Sequence, residues 1–427
     1  MKKLLSFASA VLMAAVWAAP TGIKCEMSPA GVVHPQGTTL TFKGKITRGD
    51  DLPADAGAVL DEFVSGMRRR SIPVKFDEDI VLSRKMVTPG CYSVQLRVVN
   101  SKRRTVKNLV SGIGVMVAPE KIQPSTARPA DFETFWQSQL QELAKVPVKE
   151  LSRTELPVTG KWATSVKCYD VKVSSAVGEP MTGILTMPVN AKPESLPAIV
   201  FFHGAGVRSA LQMHSYGRMA IALDMNTHGL ENNREAAYYQ NLYRGKLSNY
   251  WYQNKDNRDK YYFRDVFLRA LRAVEYVKSL PEWNGKVLIV RGSSQGGAMA
   301  VVAAALDPQV TMLFAAVPAL ADHGGFTARI PRVPGWPGLY QPKRDNAAVL
   351  ECAGYYDIVN FAPMVKCPVY MSAGMADHTC EAAGIAAVWN ALPENSKMQI
   401  EYYPAGNHRT SQLSAGVIRK LFEHFKK

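Results

Sequence analysis

The pentapeptide Gly-Ser-Ser-Gln-Gly at residues 292–296 constrains the fold of this chain more than any other segment. An apolar run at residues 287–290 precedes it, and a small-residue helical pattern begins at Gly297. A strand that reverses sharply into a helix leaves little room beside the turn, which explains the flanking glycines and forces the turn serine into a strained conformation. The Ser294 hydroxyl is then pushed out of the sheet, and the N-terminus of the following helix favours an anion there. We therefore predict that Ser294 is a nucleophile; the alternative is an ordinary glycine-rich turn between a strand and a helix.

Short apolar segments alternate with helical patterns over the region after residue 167, which predicts a mostly parallel, doubly wound sheet with helices on both faces. Together with the strand–turn–helix context of Ser294, this pattern indicates an α/β-hydrolase fold. The polar, Tyr-rich residues 231–262 are too irregular for a simple crossover, so we expect them to cross over the sheet edge or the site. The predicted strands cover residues 169–173, 183–187, 198–202, 220–223, 287–290, 313–316, 369–372 and 399–403.

The region before residue 119 has a different pattern, in which apolar and polar residues alternate in short runs separated by turn residues. Such period-two runs predict a small all-β sandwich of immunoglobulin-like style at residues 19–118. A Pro-containing linker at 119–130 would join it to a catalytic domain at 131–427. The chain length of 427 residues is consistent with these two domains. We expect the sandwich to be a packing or spacer module, with carbohydrate or partner binding as the alternative.

The N-terminus has the pattern of an export signal. Lys2 and Lys3 precede an apolar stretch that ends near Ala15, and small residues around Ala18 suit a signal peptidase. We predict cleavage after Ala18, with an uncleaved membrane anchor as the alternative. Because the stretch is short for a membrane span and no other span is evident, the expected mature protein has no transmembrane segment and is periplasmic or secreted.

Charge and cysteine content exclude some classes of function. The formal net charge is +15, but lysines and arginines are spread along the chain and the densest runs, 68–70 and 102–104, lack interleaved aromatics. Nucleic-acid binding is therefore not expected, whereas acidic polysaccharide or an anionic membrane surface remains compatible with this charge. None of the six cysteines has zinc-ligand spacing, so no structural metal is predicted. In an oxidising compartment a Cys25–Cys91 disulfide is plausible, with buried free thiols as the alternative.

A serine nucleophile requires a base and an orienting carboxylate, which in this fold follow the serine in the order acid, then histidine. Position selects His408 among the eight histidines, because it lies between the last predicted strand and the C-terminal helix. Asp377 follows the strand at 369–372 and is the predicted acid. Asp357 is the alternative acid, although its position before a helix or turn suggests a cap. His424 lies within the C-terminal helix and is not expected to take part.

The oxyanion of a tetrahedral intermediate needs preorganised donors. We predict the backbone N–H of Gln295, directly after the nucleophile, and that of Ala205, in the loop after the strand at 198–202. His203 begins the same loop, where we expect it to support the loop and not to act as a base.

With these residues in place, the chain from about Phe132 onward resembles the acetyl xylan esterase/cephalosporin-C deacetylase family of carbohydrate esterases. The resemblance implies hydrolysis of O-acetyl esters of carbohydrates or other small alcohols without a metal or cofactor. It also implies a ring-like homo-oligomer, which the additional N-terminal module could block or alter. The matching segments are residues 128–136, 201–204, 281–283, 292–297 and 356–361.

Three departures from the family pattern bear on the substrate. Ala205 stands where members often have Tyr, which keeps a backbone donor but loses an aromatic wall. The usual Arg-Gly-Gln motif is missing near His228, which we expect to pack or to contact substrate. Arg409 follows the predicted catalytic histidine, where the family often has Glu.

The sequence thus predicts a secreted serine esterase that removes O-acetyl groups from carbohydrates. A serine peptidase, a general short-chain carboxylesterase or an esterase for longer acyl chains are the enzymatic alternatives. A carbohydrate-binding protein with an inactive hydrolase domain is the alternative of another class, which the complete Ser/Asp/His set disfavours.

Overall fold

The computed structural model describes residues 20–176 and 178–426, except for the side chain of Lys107. The predicted export signal at residues 1–18, with its cleavage site after Ala18, lies outside the described residues. In the described part of the chain, no helix has both the length and the apolar character needed to cross a membrane.

The N-terminal strands form a small β-sandwich, as their alternating patterns predicted. One sheet has the order β1-β3-β6 and the other the order β2-β8-β7-β4-β5, and all pairs are antiparallel except β2 with β8. Phe42 from the first sheet and Leu60 and Leu96 from the second meet in the shared core, where all three are fully buried. The strands are β1 (Gly22–Ser28), β2 (Val33–His34), β3 (Thr39–Thr47), β4 (Gly57–Val64), β5 (Met67–Val74), β6 (Ile80–Lys85), β7 (Gly90–Val99) and β8 (Thr105–Val117).

A third sheet, with nine strands, forms the centre of the remaining chain. Its order is β17-β16-β15-β14-β12-β13-β11-β10-β9; the strands from β12 to β17 are parallel to one another, and β9, β10 and β11 extend the sheet in antiparallel fashion. The α/β-hydrolase fold is thereby confirmed. These strands are β9 (Glu150–Leu156), β10 (Val166–Val173), β11 (Met181–Pro188), β12 (Leu196–Phe202), β13 (Ile221–Asn226), β14 (Trp283–Ser293), β15 (Met312–Ala316), β16 (Val369–Gly374) and β17 (Lys397–Tyr403).

Helices pack against this sheet, and their sequences reflect how deeply they lie. The helix at Gln295–Leu306 is apolar on all sides, and its first ten residues are buried, as expected for a helix in the centre of a domain. The C-terminal helix is amphipathic and buries Val417 and Leu421. The helices are α1 (Phe132–Ala144), α2 (His214–Gly217), α3 (Ala236–Arg244), α4 (Tyr262–Ser279), α5 (Gln295–Leu306), α6 (Ala347–Tyr356), α7 (Ile358–Phe361), α8 (Ala382–Ala391) and α9 (Ala415–His424).

The segment between the sandwich and α1 packs on the α/β region. The side-chain amide of Asn390 donates to the carbonyl oxygens of Pro119 and Ile122, at 2.7 and 2.8 Å. The backbone N–H of Ser125 donates to the Asp322 carboxylate at 2.8 Å. The sandwich is therefore attached through an ordered, hydrogen-bonded connection.

All six cysteines are free, so the prediction of a Cys25–Cys91 disulfide is wrong. Cys25 lies on β1 of the three-stranded sheet, with its thiol 3.9 Å from the carbonyl oxygen of Ser111. Cys91 lies on β7 of the five-stranded sheet and directs its thiol toward the carbonyl oxygen of Met375, 3.7 Å away. The two side chains thus have different neighbours, which their common location in the first module could not reveal.

Candidate active site

The turn between β14 and α5 has the geometry that the pentapeptide predicted. Ser294 has a φ of 58° and a ψ of −124°, a strained conformation for a residue with a side chain. A Cβ on Gly292 would collide with the backbone of Gly296, and a Cβ on Gly296 would collide with the carbonyl of Phe202. The Ser294 backbone is held by Ala316, whose carbonyl accepts its N–H at 2.9 Å. Close packing on both sides therefore keeps the serine in its strained conformation.

The structure brings Ser294, His408 and Asp377 together in one hydrogen-bonded chain. Nε2 of His408 lies 2.9 Å from the Ser294 hydroxyl, and Nδ1 lies 2.8 Å from Oδ2 of Asp377. Because a carboxylate only accepts, Nδ1 carries the proton and Nε2 is free to accept from the serine. Oδ1 of Asp377 accepts the backbone N–H groups of Thr379 and Cys380, at 2.8 and 3.0 Å, which fix the orientation of the carboxylate.

Asp357, the alternative acid, has a different environment. It is the N-cap of α7, where Oδ1 accepts from the backbone N–H of Val359 at 3.1 Å and from that of Asp322 at 2.8 Å. Oδ2 accepts the backbone N–H of His323. Burial, and then the charge of Asp322, raise the pKa of Asp357 to about 7. Its carboxylate therefore organises backbone turns, as its sequence position suggested.

Two further histidines, His424 and His378, have other contacts. His424 lies at the end of α9, where Nε2 is 3.0 Å from the Thr311 hydroxyl. His378 is the neighbour of Asp377, but its ring packs against Phe63 of the sandwich with the ring centroids 4.3 Å apart. Neither ring therefore competes with His408 for the serine.

The two predicted oxyanion donors lie on either side of the serine: Gln295 follows it directly in the chain, and Ala205 lies in a separate loop. Gln295 is the first residue of α5, so its backbone N–H has no acceptor within the helix and lies at the positive end of the helix dipole. Ala205 lies in the loop after β12 and lines the cavity beside Ser294. The arrangement therefore offers main-chain donors from two independent segments next to one hydroxyl.

His203 and His228 hold the loop that contains Ala205. His203 Nε2 accepts the backbone N–H of Thr227 at 3.3 Å, so its Nδ1 carries the proton and donates to the Gly204 carbonyl at 2.6 Å. His228 Nε2 donates to the Gly206 carbonyl at 3.2 Å. The carbonyl groups on either side of Ala205 are thus each fixed by an imidazole.

Burial keeps both supporting rings neutral. Burial and then the charge of Arg208 lower the pKa of His203 to about 4. Burial, followed by the neighbouring His203 and Arg269, lowers the pKa of His228 to about 3. Nδ1 of His228 accepts from the Tyr262 hydroxyl at 2.7 Å, which fixes its tautomer. Both rings therefore stay unprotonated at neutral pH and bind a proton only weakly, which suits support of the loop and not base catalysis.

Sequence reasoning missed Trp336, which supplies an aromatic wall to the cavity despite the alanine at position 205. The cavity has a volume of about 490 Å³. Trp336 lies in an irregular, Pro-containing loop, where its backbone N–H donates to the Thr379 carbonyl at 2.8 Å. No periodic pattern marks this loop, so only its fold brings the indole to the serine. The cavity is lined by Gly204, Ala205, Ser293, Ser294, Trp336, Thr379, His408, Arg409 and Gln412.

Tyr250 is a second supporting residue that was missed, although the Tyr-rich segment around it was expected near the sheet edge or the site. It is fully buried, and its hydroxyl donates to Oε1 of Gln295 at 2.5 Å. Its ring packs edge-on against His228, with the centroids 4.6 Å apart. Tyr250 therefore contacts both the side chain of Gln295 and His228, the ring that holds the loop of Ala205.

A second potential nucleophile near the serine is kept unreactive. Cys380 is fully buried, and burial followed by the charge of Asp377 raises the pKa of its thiol well above the ordinary value. Because the thiolate is the reactive form of cysteine, this thiol stays inert beside Ser294. Over residues 20–176 and 178–426, no group of three or more His, Cys, Asp or Glu residues is arranged to hold a metal ion.

Comparisons with known proteins agree with the fold and place the chain in a family. The chain is 32% identical over 343 residues to acetyl esterase Axe7A of Xylanibacter ruminicola, which covers 76% of this chain and 72% of that protein. Its fold resembles the acetyl xylan esterase from Paenibacillus sp. R4, with a TM-score of 0.59 and 23% identity over 72% of this chain and 97% of that one. It also resembles acetyl xylan esterase 1 from Thermoanaerobacterium sp., with a TM-score of 0.56 and 22% identity over 72% and 96% of the chains. Residues 119–421 match the family model described as acetyl xylan esterase (AXE1), and the chain therefore belongs to this family of esterases.

Proposed function

We propose that this esterase is a secreted serine enzyme that removes O-acetyl groups from carbohydrates. The observation that supports the proposal best is the chain of hydrogen bonds from the Ser294 hydroxyl through His408 to Asp377, at 2.9 and 2.8 Å. It is the arrangement that a Ser-His-Asp nucleophile requires. The substrate class follows from the family and from a curated relative named as an acetyl esterase.

In the first half of the reaction, the Ser294 oxygen attacks the acetyl carbonyl carbon while Nε2 of His408 takes the hydroxyl proton. The carbonyl π electrons move onto oxygen, and the backbone N–H groups of Gln295 and Ala205 stabilise the resulting oxyanion. Asp377 holds the imidazole in the tautomer that accepts at Nε2 and stabilises the imidazolium. The intermediate then collapses, the C–O bond to the sugar breaks, and the leaving oxygen receives the proton from His408.

In the second half, His408 takes a proton from water, and the water oxygen attacks the acetyl carbon of the acyl-enzyme. The bond between that carbon and Ser294 breaks, the serine recovers its proton from His408, and acetate leaves. Every proton removed by His408 is returned in the same half-reaction, so the cycle needs no added cofactor.

The organisation of the chain completes the proposal. We place the export signal at residues 1–18, the sandwich at 19–118, a linker at 119–130 and the catalytic domain at 131–427. The proposed location is the periplasm or the extracellular medium. Mass spectrometry of the protein recovered from the producing cells would test this: a chain that begins at residue 19 outside the cytoplasm is expected, and a full-length cytoplasmic chain would reject it.

Acetate release from acetylated xylo-oligosaccharides by residues 19–427 tests the function. Ser294→Ala is the paired variant, and circular dichroism confirms that it folds. We expect wild-type release and no detectable release by the variant, because the nucleophilic oxygen is missing.

Substantial activity in the Ser294→Ala variant would reject the serine mechanism. If neither protein released acetate from the oligosaccharides while the wild type cleaved 4-nitrophenyl acetate, the serine chemistry would stand and xylan would be rejected as the carrier of the ester.

A further inference from the structure

The five-stranded sheet of the sandwich packs against both loops that carry the partners of Ser294. We call residues 374–380 the acid loop and residues 404–408 the histidine loop. The ring of Phe63 on β4 packs against that of His378 in the acid loop, with the ring centroids 4.3 Å apart. Cys91 on β7 directs its thiol to the Met375 carbonyl oxygen at 3.7 Å. Three strands of the sandwich reach this junction, because β8 contacts the histidine loop as well.

The contact with the histidine loop is a direct backbone hydrogen bond. The N–H of Gly114 on β8 donates to the carbonyl oxygen of Pro404 at 2.8 Å. The histidine loop therefore receives a main-chain hydrogen bond from a strand that lies almost 300 residues earlier in the sequence. Such a bond restrains the backbone that leads to His408.

The acid loop is also joined to the histidine loop and to Tyr403, the last residue of β17. The N–H of Met375 donates to the Tyr403 carbonyl and the N–H of Ala376 donates to the Gly406 carbonyl, both at 3.0 Å. A displacement of the acid loop is therefore transmitted to the histidine loop. Asp377 and His408, which form the two ends of one hydrogen bond, both lie in loops that these backbone hydrogen bonds hold together.

Two glycines of β8 allow the loops to approach the sheet. An added Cβ on Gly112 would lie 3.1 Å from Cβ of Ala376, its nearest neighbour. One on Gly114 would lie 2.9 Å from Cβ of Met375, but also 2.7 Å from Cβ of Ser93 and from the Tyr92 carbonyl oxygen on β7. Neither glycine has a positive φ, so the backbone conformation does not require glycine at these positions. At Gly112 the nearest obstacle to a side chain is the acid loop, whereas at Gly114 the neighbouring strand β7 restricts the space as well.

We infer that the N-terminal sandwich is a positioning element of the active site: strands β4, β7 and β8 hold the acid and histidine loops at the separation at which Asp377 and His408 hydrogen bond. The inference rests on the proposed function, because it concerns the same three residues. Catalytic geometry has to be held within about 0.5 Å, and a displacement of about 1 Å can cost up to about 100-fold in rate. Because the sandwich contacts both loops, a change in these contacts would alter the distance between Asp377 and His408.

Gly112→Ala is the sharpest test, because its added methyl group meets the side chain of Ala376, the neighbour of Asp377. The matched control is Gly57→Ala on β4, where the new Cβ would lie 3.7 Å from Cγ2 of Val99, an ordinary contact inside the sandwich. With 4-nitrophenyl acetate, we expect Gly112→Ala to lower kcat about fivefold to tenfold with KM within about twofold, following the steep distance dependence above. Gly57→Ala should stay within about twofold of wild type in both constants.

Rescue distinguishes positioning from general damage. Ala376→Gly removes the methyl group that Gly112→Ala would press against, so the double variant should recover most of the kcat lost by Gly112→Ala, relative to Ala376→Gly alone. Additive losses would mean that the two sites do not communicate and would overturn the inference. Phe63→Leu tests the same inference independently, because it changes the contact with His378 of the acid loop. Phe76→Leu is its control, since the Phe76 ring packs against Arg48 within the sandwich, 4.9 Å from the guanidinium carbon.

A readout without turnover separates this inference from the proposed function. Proton NMR detects the Nδ1–H of His408 in its hydrogen bond to Asp377, and loss of the signal in Asp377→Asn assigns it. We expect the signal to shift or broaden in Gly112→Ala and to be unchanged in Gly57→Ala. An unchanged signal and an unchanged kcat in a folded Gly112→Ala protein would reject positioning, even if Ser294→Ala proved to be inactive as expected.

Discussion

Asp377 and Asp357 were both candidate acids, and exchanging each for asparagine separates their roles. In Asp377→Asn, the side-chain carbonyl must face the backbone N–H groups of Thr379 and Cys380, which now bind Oδ1. The amide NH₂ group then faces Nδ1 of His408 in place of Oδ2, at the 2.8 Å contact. Because an NH₂ group only donates, Nδ1 would have to accept, and the ring proton would move to Nε2.

The wrong tautomer removes general-base catalysis from His408, because a protonated Nε2 cannot accept the Ser294 proton. We expect kcat to fall by roughly 10⁴, the size of effect seen when a triad aspartate becomes asparagine. This corresponds to about 5 kcal/mol of transition-state stabilisation. KM should change little, since Asp377 is buried and does not line the substrate cavity.

Asp357→Asn is the matched control. Its carbonyl can keep the two N–H groups that bind Oδ1, whereas the NH₂ group would face the N–H of His323. One buried hydrogen bond is lost, so we expect a loss of about 1–3 kcal/mol in the free energy of unfolding. The kcat should remain within about threefold of wild type, because the carboxylate does not contact His408 in this arrangement.

Steady-state kinetics with 4-nitrophenyl acetate, combined with urea unfolding monitored by circular dichroism, measures both effects. The opposite result, in which Asp357→Asn loses activity and Asp377→Asn retains it, would refute the assignment of the acid. Wild-type kcat in a folded Asp377→Asn protein would also refute the tautomer argument.

Three further predictions address the supports of the site, its pH response and its substrate charge. His228→Leu should lower kcat about tenfold with little change in KM, because it releases the Gly206 carbonyl; an unchanged kcat would exclude this support. Burial lowers the pKa of His323 from 6.5 to about 3. Between these two pH values the unfolded chain binds a proton at this residue and the folded chain does not, so the free energy of unfolding falls as the pH is lowered from about 6.5 to about 3. The urea-unfolding free energy of His323→Leu should therefore gain about 2 kcal/mol on wild type between pH 7 and pH 5, and parallel pH profiles would contradict this. Among the described residues that line the cavity, Arg409 is the one permanently charged side chain. Arg409→Gln should therefore lower kcat/KM for the anionic ester 4-acetoxybenzoate about fivefold more than for the neutral 4-acetoxybenzamide. Arg419→Gln is the control, and equal losses for the two esters would exclude charge recognition.

The sequence-based prediction of the fold succeeded where local pattern determines backbone conformation. The alternation of apolar strands and helices indicated the parallel sheet, and the period-two runs indicated the sandwich. The prediction failed for Cys25 and Cys91, because membership of one module does not specify which face of which sheet a side chain occupies. It also missed Trp336 and Tyr250, which lie in irregular segments without a periodic signal.

The sequence by itself determined the chemistry available to this protein and the order in which its parts occur. The turn around Ser294 is specified locally, because its glycines and neighbouring strand leave one backbone path, and chain order then selected Asp377 and His408 as partners. The tertiary structure decided what surrounds them: the aromatic wall, the imidazoles that hold the loop of Ala205, and the contact of the sandwich with the acid and histidine loops. These features join residues far apart in the chain, where close packing and not local periodicity selects the neighbours.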